Sequence, residues 1–226
     1  MPTTTTRLCR GASAALASVV LLGAFLLHPP IPGRLPNDAA IAAAVVADPT
    51  RWGLAHLAAG VASAFVVLAF IAVRSYLREA SEERWSALGL PLIVIGSTLY
   101  ALLPGMEFAP LAAFETGGDV QAAQAALAPW FLPTLIAGAL TFALGVLAFA
   151  KGVADSPALP AGLVGLVIAG LVVMAATRLV PLAAVQFYVQ SAAAIVALWP
   201  MAYVMWTHPQ RQPTSSRSTL ATSRQT

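Results

Sequence analysis

The sequence predicts an all-α integral membrane protein, a bundle of about six transmembrane helices. Only 9% of its 226 residues are charged, whereas soluble domains are typically about 25% charged. Six long runs contain no Asp, Glu, Lys or Arg. About 20 apolar residues are what an α-helix needs to cross ~30 Å of hydrocarbon, and the mean hydropathy of +0.81 agrees with that use.

The first span is predicted at about residues 11–28, after a short polar head at 1–10. A signal peptide has the same layout. However, no small-x-small cleavage site directly follows the apolar run, which ends in Leu-Leu-His-Pro-Pro. We therefore expect an uncleaved signal anchor, and cleavage stays open as the alternative.

A short helix and the second span follow a proline-rich turn at 29–36, where a helix cannot continue. Residues 39–47 predict an Ala/Val helix in the first loop. Asp48 is the expected N-cap of the second span, with Pro49 at its first position. This span is predicted at about 52–76.

The third and fourth spans are predicted at about 85–106 and 130–150. The hydrophilic loop 74–84 precedes the third span, and its charges alternate in sign, as in a solvated helical extension. The connection between the two spans contains a turn at 117–119 that ends in an Asp N-cap. A separate Ala/Gln helix is expected after this turn, at 120–127.

The last two spans are predicted at about 158–179 and 184–206, on either side of Pro181, which breaks the helix. Residues 151–157 form the tight turn before them. The end of the chain, 208–226, is rich in Pro, Gln, Ser, Thr and Arg and is expected to be a disordered tail.

The basic residues give the expected orientation. With six spans, nine of the twelve Lys and Arg residues lie on the side of the termini and three on the other. This excess fits the positive-inside rule with both termini in the cytoplasm and the short loop helices outside. The chain thus divides into a cytoplasmic head (1–10), a transmembrane domain (11–207) and a cytoplasmic tail (208–226). The preference for Arg, Ala, Gly and Pro indicates a GC-rich bacterial genome, so we expect the bacterial inner (plasma) membrane.

Polar side chains within or beside the spans converge near the outer face of the predicted bundle. The group comprises His56, Tyr100, Glu107, Arg178, Gln186 and Gln190. We expect these residues to form a polar cluster that either binds a ligand or holds the helices together.

Arg178 is the strongest candidate in this cluster because it lies between two long uncharged runs. A charge near hydrocarbon costs several kcal/mol unless it snorkels or is paired. Snorkelling to the outer interface is the favoured interpretation. An ion pair with Glu107 or Glu115, and a role in binding a ligand or ion, are the alternatives.

His56 is expected to point toward a packed helix interface. It shares a helix face with Gly60 and Ala64, and small residues at this spacing let two helices approach closely. A hydrogen-bonded structural histidine is the favoured interpretation, with proton handling or ligand binding as the alternative.

Several chemistries have little support in the sequence. The scattered basic residues form no aromatic-basic face, which argues against nucleic-acid binding, and the single cysteine, Cys9, excludes an intrachain disulfide. His28 and His56 could form an axial haem pair, but no CxxCH motif exists. Zinc motifs are missing, and Lys151 lies at a span end, which does not suit a retinal Schiff base. We therefore expect no catalytic residue, cofactor or metal.

Three classes of function remain. The favoured one is a small structural, sensory or accessory membrane protein. The alternative is a transporter, or a protein that binds an unknown small molecule or lipid in an outward-facing site. An enzyme with Glu107 as acid, Arg178 as clamp and His56 as base is the weakest, because no pair has a motif spacing. The lipid bilayer is the expected partner, and a membrane protein or a second copy of the chain is left open.

Overall fold

The computed structural model describes residues 3–207, and within this range the chain is helical without a β-strand. The helices are α1 (Thr4–Leu27), α2 (Asp38–Ala47), α3 (Pro49–Glu79), α4 (Arg84–Met106), α5 (Phe108–Glu115), α6 (Val120–Ala154), α7 (Ala161–Thr177) and α8 (Gln190–Thr207). A π-helix, Val185–Val189, leads directly into α8. The predicted disordered tail lies outside the described residues.

Five helical stretches are long and apolar enough to cross a membrane. They are α1, α3, α4 continued by α5, α6, and the π-helix continued by α8. The apolar helix α7 has only 17 residues. Length and composition therefore support five spans where the sequence predicted about six.

Six helices pack side by side in a closed ring. Around the ring the order is α1, α3, α4, α6, α7 and α8, and α8 packs against α1 again. The interior is filled by one large apolar core, in which Phe70, Phe142 and Phe149 are almost fully buried. Each helix thus has two neighbours, and the first and last helices of the chain close the ring.

Glycines allow α4 and α6 to approach closely. A Cβ atom at Gly96 would lie 2.6 Å from the backbone nitrogen of Phe142, and one at Gly145 would lie 2.9 Å from a backbone nitrogen of α4. By contrast, a Cβ atom at Gly60 would meet nothing within 4 Å. The predicted close helix contact beside His56 is therefore wrong at Gly60, because that face of α3 has no helix against it there.

The two predicted N-caps in front of long helices are confirmed. Asp48 Oδ1 accepts a hydrogen bond from the backbone N–H of Arg51 at 2.9 Å, and Pro49 begins α3. Asp119 Oδ1 accepts from the backbone N–H of Ala122 at 2.9 Å and begins α6. Both side chains satisfy N–H groups that a helix start leaves without a partner.

Several boundaries differ from the prediction. Helix α1 begins at Thr4, inside the predicted head, because the Thr3 side chain serves as N-cap. Helix α3 continues to Glu79, into the predicted loop, and α7 is shorter than the predicted fifth span. The predicted helix at 120–127 and the span at 130–150 are one continuous helix, α6. The short helix of this loop is instead α5.

A cap covers one end of the ring, and it is formed by residues 28–37 and α2. The backbone N–H of Leu35 donates to the carbonyl of Pro181 at 2.9 Å, and Arg34 forms an isolated β-bridge with Leu182. A second small core packs the cap onto the ring; it contains Ile31, Ile41, Val45, Trp52, Val120 and Ala183. The cap is thus held by backbone hydrogen bonds and by apolar packing.

The opposite end, which we call the terminal end, contains the start of α1 and the end of α8. Arg10 on α1 forms an ion pair with Glu79 at the end of α3. The Trp206 indole N–H donates to the carbonyl of Leu8 at 3.3 Å, which joins α8 to α1. Side chains therefore close the ring at this end.

Candidate ligand cavity

A cavity lies inside the ring beneath the cap, at what we call the cavity end. Its volume is about 130 Å³. An apolar cavity of roughly 150 Å³ holds a benzene molecule. The apolar part of the wall includes Leu21, Phe25, Ile31, Leu103, Phe131 and Leu135. The space therefore suits a small organic molecule.

Most of the predicted polar cluster lines this cavity. The lining includes His56, Tyr100, Glu107, Arg178 and Gln186. Gln190, the sixth member, is fully buried but does not line the cavity, and neither its amide oxygen nor its amide nitrogen has a hydrogen-bond partner among residues 3–207. The structure thus brings five of the six residues to one space, and their role stays a prediction.

Arg178 projects into the ring from the end of α7. Its guanidinium carbon lies 3.7 Å from the centre of the Tyr100 ring and 4.9 Å from that of Phe142, and only 9% of the residue is exposed. No acidic side chain among residues 3–207 lies within ion-pair distance of it, and Nε is buried without a hydrogen-bond partner there. Both structural interpretations from the sequence, snorkelling and a pair with Glu107 or Glu115, are therefore wrong.

Arg178 contacts two aromatic side chains, Tyr100 on α4 and Phe142 on α6, rather than an acidic group. Contact with an aromatic face contributes up to about 2 kcal/mol when the cation is desolvated. Removing a charge from water costs several kcal/mol. The two aromatic contacts offset part of this cost but supply no counter-charge to Arg178.

Glu107 occupies the junction between α4 and α5 and is also buried. Its Oε1 accepts a hydrogen bond from Gln124 Nε2 at 3.2 Å, whereas Oε2 is buried without a partner among the described residues. The Trp52 indole N–H donates to the backbone carbonyl of Glu107 at 3.0 Å, which fixes α3 against this junction. The carboxyl group is thus held in place with one oxygen free.

Two histidines and a tryptophan form an aromatic group in the wall of the cavity. The ring centres of His28 and His56 are 4.9 Å apart, and those of Trp52 and His56 are 4.2 Å apart. Each histidine donates its Nδ1–H to a carbonyl oxygen at 2.7 Å, His28 to Pro29 and His56 to Trp52. In the neutral tautomer this leaves Nε2 as an acceptor. The two rings contact each other directly, whereas an axial haem pair requires an iron between them.

The remaining members of the cluster differ in their surroundings. Gln186, on the π-helix, donates from Nε2 to the carbonyl of Val180 at 2.9 Å and so braces the turn that follows Arg178. The Tyr100 hydroxyl is buried without a hydrogen-bond partner among residues 3–207. Gln186 therefore has a structural bond, whereas the side chain of Tyr100 contacts Arg178.

Three residues of the site, His28, Trp52 and Gln124, are not members of the polar cluster that the sequence predicts. The sequence supports His28 only as a possible haem ligand, and no motif in it points to Trp52 or Gln124 as site residues. The sequence holds one signal for Gln124. This residue follows the apolar Val120 by four positions, so the two side chains share one face of the helix. The contacts of His28 and Trp52 depend on the cap and have no local signal.

The cavity lining mixes polar and apolar side chains. Among residues 3–207, no group of three or more His, Cys, Asp or Glu side chains is arranged to hold a metal ion. No protein-family model, no curated protein and no solved structure matches this chain. Its class therefore follows from its own fold and cavity: an all-helical protein with five helical stretches long and apolar enough to cross a membrane, and with a part-polar, part-apolar cavity at one end of its ring.

Proposed function

We propose that this protein binds a small molecule in the cavity at the capped end of its helix ring. The observation that carries the proposal is Arg178, a buried charge that lines the cavity with no acidic partner among the described residues. Glu107 and Tyr100, which line the same space, each keep a buried polar atom without a partner in that part of the chain.

An unpaired buried polar atom is costly, and this favours binding over a purely structural role for the cluster. Leaving a buried donor or acceptor unsatisfied costs about 1–3 kcal/mol, and more for a charged group. A cluster that held the helices together would satisfy its own members, as the ion pair at the terminal end does. A bound molecule that supplies the missing partners offsets this cost.

We propose that all six helices of the ring cross the membrane. The 17 residues of α7 give about 26 Å at 1.5 Å per residue, close to the hydrocarbon thickness. Support for a sixth crossing comes from the packing of α7 between α6 and α8. In this arrangement α2 and α5 are short helices of the first and third loops.

We further propose that the cavity end faces the outside of a bacterial inner membrane and that both termini are cytoplasmic. The support is the charge distribution, with nine basic residues on the side of the termini and three on the other. The cavity is then an outward-facing site.

Binding is favoured over transport by the deep part of the ring. Ser63 is the deepest polar residue of α3 that lines the cavity, and below it the interior is filled by apolar residues such as Phe70 and Phe149. An ion or polar solute has no continuous row of polar side chains through such a core.

Native mass spectrometry of the purified full-length chain tests this function. We expect a co-purified small molecule in the wild type, and its loss in Leu135→Trp, which places a large ring in the cavity. Leu140→Trp is the matched control, since Leu140 lies on the same helix, is 50% exposed and does not line the cavity. An adduct that survives in Leu135→Trp, or no adduct in any variant under mild detergent, contradicts the proposal.

A further inference from the structure

We propose that the ligand is a small amphipathic acid, a molecule that carries one anionic group on an apolar body and pairs that group with Arg178. This inference rests on the proposed binding function and goes further by assigning the chemical class of the ligand.

The charge of the site favours an anion. Arg178 is nine-tenths buried, its Nε lacks a partner among residues 3–207, and its known contacts are the faces of two aromatic rings. A guanidinium offers donors in a planar fork that matches a carboxylate or a phosphate. An anionic group of the ligand would be the missing counter-ion.

The position of Glu107 does not oppose this arrangement, because it lies nearer the cap. Tyr100, which Arg178 covers, lies on α4 seven residues before Glu107, the residue that follows the end of this helix. At 1.5 Å per residue, this places Arg178 about 10 Å deeper in the ring than Glu107. The acidic group of the ligand can therefore meet the guanidinium without contact with the Glu107 carboxyl.

Small residues leave room for the ligand at the depth of Arg178. Ala59 and Ser63 line the cavity on α3, one and two turns below His56. Because α3 and α4 run in opposite directions and Trp52 is bonded to Glu107, Ala59 lies at about the depth of Tyr100. The polar head of a ligand thus has space where the unpaired charge lies.

The rest of the cavity wall is apolar, so the remainder of the ligand should be apolar as well. Leu21, Phe25, Phe131, Leu135 and Phe187 line the cavity around and above Arg178. Burying apolar surface against such side chains contributes about 25 cal/mol per Å². The 130 Å³ cavity has room for a ring or a short alkyl segment.

Three probes that share one alkyl chain test the assignment: octanoate, octan-1-ol and octylammonium. Each is titrated calorimetrically into the full-length chain in phosphatidylcholine nanodiscs, and the titration of empty nanodiscs is subtracted. We expect octanoate to bind about tenfold more tightly than octan-1-ol, as one charge-assisted hydrogen bond implies, and octylammonium to bind most weakly. Equal binding of octanoate and octan-1-ol, or a preference for octylammonium, overturns the acid assignment.

Variants of Arg178 locate the preference. Arg178→Gln should remove the advantage of octanoate over octan-1-ol, and Arg178→Lys should restore part of it. Arg34→Gln is the matched control, because Arg34 is an exposed arginine of the cap that does not line the cavity. An undiminished octanoate preference in Arg178→Gln contradicts the proposal. If that variant does not fold, the order of the three probes in the wild type still decides.

The same chemistry could come from a free carboxylic acid or from the phosphate of an acidic phospholipid. Nanodiscs that contain phosphatidylglycerol distinguish them, because a bound acidic lipid would reduce octanoate binding relative to phosphatidylcholine nanodiscs. Unchanged octanoate affinity assigns the site to a free acid, and both results support the acid class.

The two proposals can fail separately. If Leu135→Trp abolishes the binding of octan-1-ol but the wild type does not prefer octanoate, the cavity binds a ligand and only the acid class is overturned. Failure of every probe to bind, with no adduct in mass spectrometry, would overturn the binding function itself.

Discussion

The two ends of the ring treat their charged side chains in opposite ways. At the terminal end, Glu79 pairs with Arg10, and Asp155 pairs with Lys151. At the cavity end, Arg178 is buried without an acidic partner among residues 3–207. Arg7 and Arg74 each keep an unpaired Nε on the terminal side, but neither residue is fully buried.

The difference shows at which end of the helix ring the chain supplies bonding partners for its own charged and polar groups. The acidic side chains of the terminal end bond to groups of the chain, and Glu82 additionally accepts the backbone N–H of Trp85 at the start of α4. These bonds join α1 to α3 and stabilise a helix start, which is a structural task. At the cavity end the buried donors and acceptors exceed the partners that the chain supplies, as expected for a binding site.

The largest expected effect comes from removing one charge at each end. Glu79→Gln should lower the free energy of unfolding by about 1–2 kcal/mol, because it leaves Arg10 without its ion-pair partner in a part-buried position. Arg178→Gln should leave the ligand-free protein equally stable or more stable, because it removes a buried charge that lacks an acidic partner. Equilibrium unfolding in mixed detergent measures both. Equal destabilisation by the two variants would contradict the proposed difference between a structural ion pair at the terminal end and an unpaired charge at the cavity end.

A smaller effect is expected from the two buried glutamines near the cavity. Gln190→Met should raise the free energy of unfolding by about 1 kcal/mol, because it removes two unsatisfied polar atoms at similar volume. Gln124→Met is the matched control and should lower it, because Gln124 donates to Glu107. The same unfolding assay compares them. A loss of stability in Gln190→Met would contradict this prediction.

The smallest effect is expected at Asp155, which is exposed at the terminal end. The hydrogen bond from Lys151 is the main cause that holds the pKa of Asp155 below its usual value of about 4. The folded state therefore binds this proton less readily, and the stabilisation is present above the usual pKa and lost as the pH falls through the lowered one. Wild type and Asp155→Asn should differ slightly in Tm at pH 7 and converge in strong acid. A difference that grows with acidity would contradict this assignment.

The sequence was sufficient for the features that depend on local composition. The uncharged runs predicted the long helices, and Asp48 and Asp119 marked two helix starts, because a span and an N-cap both depend on residues close in the chain. The approach of the polar residues to one face also followed from their depth in each run. These signals need no knowledge of which helices are neighbours.

The sequence was insufficient where packing between helices decides. The surroundings of the Arg178 guanidinium are formed by Tyr100 on α4 and Phe142 on α6. No spacing in the sequence indicates that these three residues are in contact. Gln186 and Gln190 are four residues apart and would share one face of an α-helix. Gln186 lines the cavity, whereas Gln190, on the next turn, is fully buried and does not line it, because the neighbouring helices cover it there.

The closure of the ring by α1 and α8 has a consequence for synthesis on the ribosome. Chains emerge from the N-terminus, and membrane helices enter the bilayer in that order. Helix α1 meets α3 early, but its second neighbour is the last helix made, and the cap waits for Pro181 and Leu182 before Leu35 can form its backbone hydrogen bond. The wall of the cavity is therefore incomplete in the nascent chain until Arg178, Gln186 and Phe187 have been made, late in translation.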